Sequence, residues 1–393
     1  MSQNNKIFIV SGGTGGHIMP ARCLAADLAK ENYKIWLLGD AKYRGYIKDS
    51  DQFKSLIIGA SQLEKKPLKL LIASIKIGYG AIESLLLFLL HRPKFVVAFG
   101  GYATFPVLLA ALLTKTKIIL HEQNAHLGKV NRLFAKYADK IATSFPETSG
   151  ILDSYRSKTF FTGNLVRQEI LELNKIPYSL PEKPPKPNLE EPNTIGNRMG
   201  YNVLLASDFN YKNESSADLF NILIIGGSGG AKIFSEILPK AFFNLSEDIK
   251  SRINIVQQCR AENLKETFDQ YRSFNLTVEV QAFFSEMPEK IKAAHLIIGR
   301  SGSSSIFEFC AAKKPMILIP FAKAADNHQE KNARFLEKQG AAIVITEAEF
   351  TINKANEILK NLIDSENTLQ EMSLAASNLA QLDATENLIK LLK

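Results

Sequence analysis

Cysteine is scarce in this chain. Its three cysteines, Cys23, Cys259 and Cys310 in 393 residues, lie too far apart for a zinc ribbon or a disulfide framework, which fits a reduced compartment. A nucleotide phosphate loop, GxxxxGK followed by Ser or Thr, is also missing: two glycine-rich turns are present, and neither has that pair after its last glycine. The zinc-protease helix is absent too. HEQNAH (121–126) places its second histidine at i+5 rather than i+4, so the two imidazoles do not share a helix face. No uninterrupted apolar run reaches the roughly 20 residues of a membrane span, because LKLLIASIKIGYGAIESLLLFLLHR (68–92) is broken by Lys76, Gly78, Gly80 and Glu83. The opening MSQNNKIFIVSGG lacks the long apolar segment and cleavage site of a signal peptide, so export is not expected.

What is present is an ordinary globular balance, 46% hydrophobic and 22% charged residues, over a length that one core seldom supports; two domains are expected. The net charge of +8 favours an anionic partner: nucleic acid, anionic lipid or a phosphorylated substrate.

Short apolar runs alternate with helical patterns throughout. KIFIV, KIWLLG, SLIIGA, FVVAFGG, KIILHEQ, KIATSF and TFFTGN fill the first half; FNILIIGG, INIVQQC, TVEVQAF, HLIIGR, PMILIP and AAIVIT fill the second. This predicts an α/β protein with two doubly wound parallel sheets. Between the halves, apolar periodicity lapses from Glu172 to Asp218, where six prolines lead into NYKNESSAD, and this reads as a connection. The expected division is 1–171, a connection at 172–218, a second domain at 219–375, and a terminal helix at 376–393 returning to the first domain.

One internal echo carries the functional argument. IVSGGTGGHI (9–18) recurs as IIGGSGGAKI (224–233), each after an apolar strand and before a helix. Such a turn aims unpaired N–H groups and the positive end of a helix dipole at one spot, which suits a phosphate or a developing oxyanion. Two of them predict twin domains facing a shared cleft. A dinucleotide fingerprint is a competing reading, with Asp40 after KIWLLG as its ribose-binding acid; Ile18 stands where that fingerprint needs a small residue, and the repeat would go unexplained. The triplet Asp49–Asp51 reads as a solvated turn. Segment 68–92 admits two readings, a buried helix or an amphipathic helix whose neighbouring lysines and Arg92 meet lipid headgroups.

Seven motifs, in order and spacing, resemble one family. GGTGGHIMPA, FGGYATFPVLLAA (99–111), HEQNAHLGKVNRLFA (121–135), TGNLVR (162–167), GGSGGA (226–231), RSGSSSIFE (300–308) and IPFAKAADNHQEKNA (319–333) are similar to those of the bacterial MurG family of N-acetylglucosaminyltransferases. The resemblance implies a GT-B fold and inverting transfer of N-acetylglucosamine from UDP-N-acetylglucosamine to the 4-hydroxyl of lipid I, giving lipid II, with no metal or other cofactor. It also implies a peripheral position on the cytoplasmic face of the inner membrane, with no nucleic-acid partner.

Residue by residue, the resemblance implies that Ser228 and Ser303, Ser304 and Ser305 hold the donor diphosphate. Glu308 would take the ribose hydroxyls, the backbone of Phe284 the uracil, and Gln329, with Asn332 nearby, the sugar hydroxyls. The acceptor pyrophosphate would lie over Thr14, Gly15 and Gly16, with His17 as general base. Glu122, Asn124 and Arg167 would make substrate contacts or organise the cleft. Leu165 stands where the family commonly has proline, Gly229 where it has glutamine, and the connection is longer. A non-catalytic nucleotide-sugar or polyanion-binding module remains the alternative from a different class.

Overall fold

The structure is a computed structural model that describes residues 5–13, 15–47, 52–61, 67–181, 219–227, 229–274 and 276–393. Asp49–Asp51, Thr14, Ser228 and residues 182–218 therefore lie outside the described residues.

The apolar runs become strands of two parallel sheets. The first sheet has the order β3-β2-β1-β4-β5-β6-β7 and comprises β1 (Lys6–Val10), β2 (Lys34–Gly39), β3 (Lys54–Ile57), β4 (Phe95–Ala98), β5 (Lys117–Glu122), β6 (Lys140–Thr143) and β7 (Thr159–Phe161). The second has the order β10-β9-β8-β11-β12-β13 and comprises β8 (Phe220–Ile225), β9 (Ile253–Gln258), β10 (Val278–Gln281), β11 (Leu296–Gly299), β12 (Met316–Leu318) and β13 (Ala342–Val344). Helices of the first half are α1 (Gly15–Lys30), α2 (Pro67–His91), α3 (Thr104–Leu113), α4 (Lys129–Phe134) and α5 (Gln168–Leu171). The second half holds α6 (Lys232–Phe243), α7 (Glu247–Arg252), α8 (Leu264–Ser273), α9 (Met287–Ala293), α10 (Ser303–Ala311), α11 (His328–Lys338), α12 (Ile352–Ile363), α13 (Glu366–Leu379) and α14 (Ala384–Leu392).

Central strands are apolar on both sides because both faces are covered. In β1, Ile7 and Ile9 pack with Leu24 and Leu28 of α1 and Leu388 and Leu392 of α14, while Phe8 and Val10 face Phe88 of α2 and Val107 and Leu108 of α3. In β8, Ile222 and Ile224 pack with Phe234 of α6 and Leu359 of α12; Leu223 and Ile225 pack with Ile306 of α10 and Leu336 of α11. Burying a side chain of this kind contributes about 1.5–3 kcal/mol, and every residue of β8 is buried.

The chain crosses between domains twice. Val166 and Ile170 sit in the second domain's core, as does Phe145, whose ring meets Phe307 at 5.0 Å and Phe335 at 5.1 Å. The connection starts later than Glu172. Glu172–Lys175 form a 3-10 turn, and Tyr178 and Leu180 pack against the second core, with Tyr178 Oη donating to His295 O at 2.8 Å. Leu173, Tyr178 and Leu180, together with the Asn174 Nδ2 bond to Ala311 O at 3.0 Å, dock residues 172–181. The chain returns past Gly163, where a Cβ would stand 2.4 Å from Gln381 Cβ; only glycine fits that crossing.

Helix α2 has two faces. Ala73, Gly80, Ser84 and Phe88 are buried, and a Cβ on Gly80 would stand 1.7 Å from Gly59 O, so the docked face is set by direct backbone approach. The opposite face exposes Leu68, Leu71, Ile72, Ile75, Tyr79 and Ile82, continuing through Leu86, Leu89 and Leu90. These fall on one stripe at i, i+3, i+4, i+7 spacing. The fully buried helix read as one option from sequence is thereby corrected. Despite the interruptions at Lys76, Gly78, Gly80 and Glu83 that argued against a span from sequence, residues Leu71–His91 are long and apolar enough to cross a membrane by length and composition.

Candidate active site at the domain interface

In a parallel α/β sheet, ligands bind beyond the carboxyl ends of the strands where the winding reverses. Here those points are β1/β4, with Val10 opposite Ala98, and β8/β11, with Ile225 opposite Gly299. The first glycine turn follows β1 and the second follows β8. Gly13 (φ +88°) and Gly227 (φ +83°) occupy equivalent positions in them, in the left-handed region that favours glycine.

The two switch points meet. Ser304 Oγ, in the first turn of α10, donates to Gly16 O, in the first turn of α1, at 2.8 Å. Helices α1 and α10 therefore start side by side, one from each domain. The residue preceding α10, Gly302, supplies no side-chain cap, and neither does Ala231 before α6, so the first N–H groups of both helices have no capping side chain. Ser303 is buried, and Ser304 and Ser305 are half-buried.

A glutamate–asparagine knot holds the domains at this distance. Glu122 is buried at the end of β5; its Oε1 accepts from Asn124 N (3.0 Å) and Nδ2 (3.1 Å), and its Oε2 accepts from Gly128 N (2.8 Å) and Asn131 Nδ2 (2.9 Å). Burial raises its pKa, and these four donors oppose the shift. Asn332, fully buried on α11, accepts from Ala125 N at 2.8 Å and donates to Asn124 Oδ1 and Ser301 O, each at 3.1 Å. Asn332, expected near the donor sugar, has its amide tied to Ala125 and Asn124 of the first domain and to Ser301 of its own. Gln329 is half-buried, with Oε1 accepting from Phe321 N (3.0 Å) and its carbonyl accepting from Ser301 Oγ (2.7 Å).

Arg167 and Glu308 form the second bridge. Nε and one terminal nitrogen of Arg167 donate to Oε1 and Oε2 of Glu308 at 2.7 and 2.8 Å, a bidentate pair across the interface. The carboxylate expected to receive ribose hydroxyls is thus already held by Arg167. Cys23 lies against this pair, and burial pushes its thiol up to about 12. Phe284 is buried, with Lys290 Nζ 5.6 Å from its ring centroid, so its ring is spent on packing; the neighbouring Phe283 is 74% exposed.

On the acceptor side, His17 is half-buried in the first turn of α1. A Cβ on Gly100 would stand 3.5 Å from His17 Cδ2 and 3.3 Å from Asn131 Nδ2, which places these residues together. Burial, and secondarily the charge of His328 across the cleft, push His17 down to about 4, so the imidazole is neutral at physiological pH. His121, which opens the HEQNAH motif, is a core residue. It is fully buried, with Nε2 donating to Gly163 O (3.3 Å) and Nδ1 accepting from Gln123 Nε2 (2.9 Å).

The sequence reading missed a tyrosine roof over the first turn. The Tyr102 ring lies 3.6 Å, and Tyr46 Oη 3.0 Å, from Cβ positions built on Gly13 and Gly15. Tyr102 Oη donates to buried Asp40, which also accepts from Lys42 N at 3.1 Å. Burial and that bond raise the Tyr102 pKa. Asp40 is consequently occupied, which removes the ribose acid that the dinucleotide reading needs. By contrast, nothing lies within 4 Å of Cβ positions on Gly227 and Gly229 in the second turn. Tyr102, directly after Gly100 and Gly101 in the FGGYATF motif, is the sequence signal for this roof.

Comparison with known proteins agrees with this geometry. The glycosyltransferase family 28 N-terminal domain matches residues 7–143 and the glycosyltransferase family 28 C-terminal domain matches residues 221–388. A protein of Rhodospirillum centenum named UDP-N-acetylglucosamine–N-acetylmuramyl-(pentapeptide) pyrophosphoryl-undecaprenol N-acetylglucosamine transferase is 33% identical over 97% of this chain and 92% of its own. The chain belongs to that transferase family. The Caulobacter vibrioides member is also 33% identical, over 98% of this chain and 97% of its own. The crystal structure of Acinetobacter baumannii MurG superposes with a TM-score of 0.71 at 25% identity, covering 98% of this chain and 99% of that one. The fold is therefore GT-B.

Proposed function

We propose that this chain transfers N-acetylglucosamine from UDP-N-acetylglucosamine to the 4-hydroxyl of the muramyl sugar of lipid I, giving lipid II with inversion. The observation that carries this reading is the meeting of α1 and α10 at Gly16 and Ser304, which turns two anion-binding helix starts toward one cleft. The donor diphosphate lies on the open second turn and the start of α10, with Ser228, Ser303, Ser304 and Ser305 around it. Uracil meets the backbone at Phe284, the ribose meets Glu308, and the sugar meets Gln329. The acceptor pyrophosphate lies over Thr14, Gly15 and Gly16.

In the reaction, the acceptor oxygen forms a bond to the anomeric carbon while the bond from that carbon to the UDP oxygen breaks. The hydroxyl proton passes to a ring nitrogen of His17, and the electron pair leaves with UDP. Charge grows on the diphosphate as this happens, and N–H groups fixed in advance stabilise it without reorganisation. A neutral His17 is in the proton-accepting state, and the acceptor's own pyrophosphate strengthens it as a base by favouring the imidazolium.

The exposed stripe of α2 supports a peripheral membrane contact on the cytoplasmic face, where the lipid-linked acceptor is found. Contiguous apolar surface of that extent on a globular domain marks an interaction site, and exposed Lys76 within the helix and Arg92 directly after it supply positive charge for anionic headgroups. The test is labelled UDP-N-acetylglucosamine with a lipid I analogue, in the presence of a chelator. A β-1,4-linked disaccharide product is expected; folded protein that binds UDP and yields no product would reduce it to a non-catalytic binding module.

A further inference from the structure

Arg260 follows the end of β9, next to β8 in the second sheet, and packs directly beneath the second glycine turn. A Cβ on Gly230 would stand 2.8 Å from Arg260 N and 3.1 Å from its Cγ, so the root of this side chain is fixed against the turn. Beside it opens a cavity of about 450 Å³, lined by Gly229, Cys259, Arg260, Ala261, Glu262 and Ala282. That volume is in the range of small-molecule sites.

The guanidinium itself is not fixed. It is 45% exposed, and its ion-pair partner among the described residues is Glu262, at 3.8 Å and 68% exposed. That separation is too long for a hydrogen bond, and an exposed pair of this kind contributes little to stability. An arginine rooted under an anion-binding turn, facing a cavity of nucleotide size and held by so weak a partner, suits a phosphate better than its present neighbour.

We propose that Arg260 is a ligand of the donor diphosphate: when a uridine diphosphate sugar fills the cavity, the guanidinium leaves Glu262 and pairs with a phosphate oxygen. This rests on the donor reading of the second turn given above. Glu262 then acts against binding, since its carboxylate competes for the same guanidinium and repels the phosphate.

Isothermal titration of the full chain with UDP, UMP and uridine tests this. Arg260→Ala should weaken UDP about 10-fold, as expected for loss of one charge-assisted hydrogen bond, and leave uridine unchanged; Arg260→Lys should restore part of the loss. Glu262→Gln should tighten UDP, a gain that a damaged fold cannot produce. UDP affinity unchanged in Arg260→Ala, or uridine weakened as much as UDP, would overturn the proposal. Wild-type chain that binds no UDP would overturn the donor reading itself, and Arg260 with it.

Discussion

His17 is the residue on which chemistry and environment can be separated. With its pKa held near 4 in the free protein, kcat/KM for the acceptor should stay flat as pH falls through 6.5 and decline only as it approaches 4. An acid limb at 6.5 or above would contradict its placement as a neutral base held at low pKa. His17→Ala should lower kcat by about 10²-fold or more, the usual contribution of a general base, without changing affinity for UDP. His121 shares the low pKa with no catalytic part, and its effect is on folding. Between about 4 and 6.5 the unfolded chain binds protons that the folded ring refuses, so stability should be level above about 6.5 and be lost progressively as pH drops from there towards 4. Motif spacing made His17, Glu122, Asn124, Arg167 and Glu308 legible as a group. It could not show that Asn332 and Glu308 spend their polar atoms across the interface, because those partners come from motifs over 140 residues away in sequence.

At the scale of elements, strands were the most legible feature. A parallel strand covered on both faces must be apolar throughout, so each named run appears as a strand of one of the two sheets. Helix α2 was not, because its composition is the same whether its apolar stripe faces the core or not; the Gly59–Gly80 approach decides which side docks, and it is a tertiary fact. Ile75 and Ile82 are 62% and 63% exposed. Replacing both with aspartate should therefore abolish co-sedimentation with phosphatidylglycerol vesicles while leaving the melting temperature and turnover of a water-soluble acceptor unchanged. Retained vesicle binding would remove α2 as the membrane face. Residues 172–181 teach a similar lesson, since proline content hid the apolar side chains Leu173, Tyr178 and Leu180 that dock them.

The molecule as a whole is two lobes joined by a small apolar hinge around Phe145 and by the polar knot at Asn332. Asn332→Ala leaves Ala125 N buried without its acceptor, at a cost of about 1–3 kcal/mol. Calorimetry should then show the single unfolding transition lowered or split by lobe; an unchanged thermogram would mean that the knot does not couple them. The central claim is that each lobe carries its own anion cradle and that both open on one cleft. Titrating UDP-saturated protein with a short-chain polyprenyl-pyrophosphoryl muramyl acceptor measures this directly. One equivalent should bind with UDP retained; displacement of UDP, one for one, would show a single shared anion site and contradict the account.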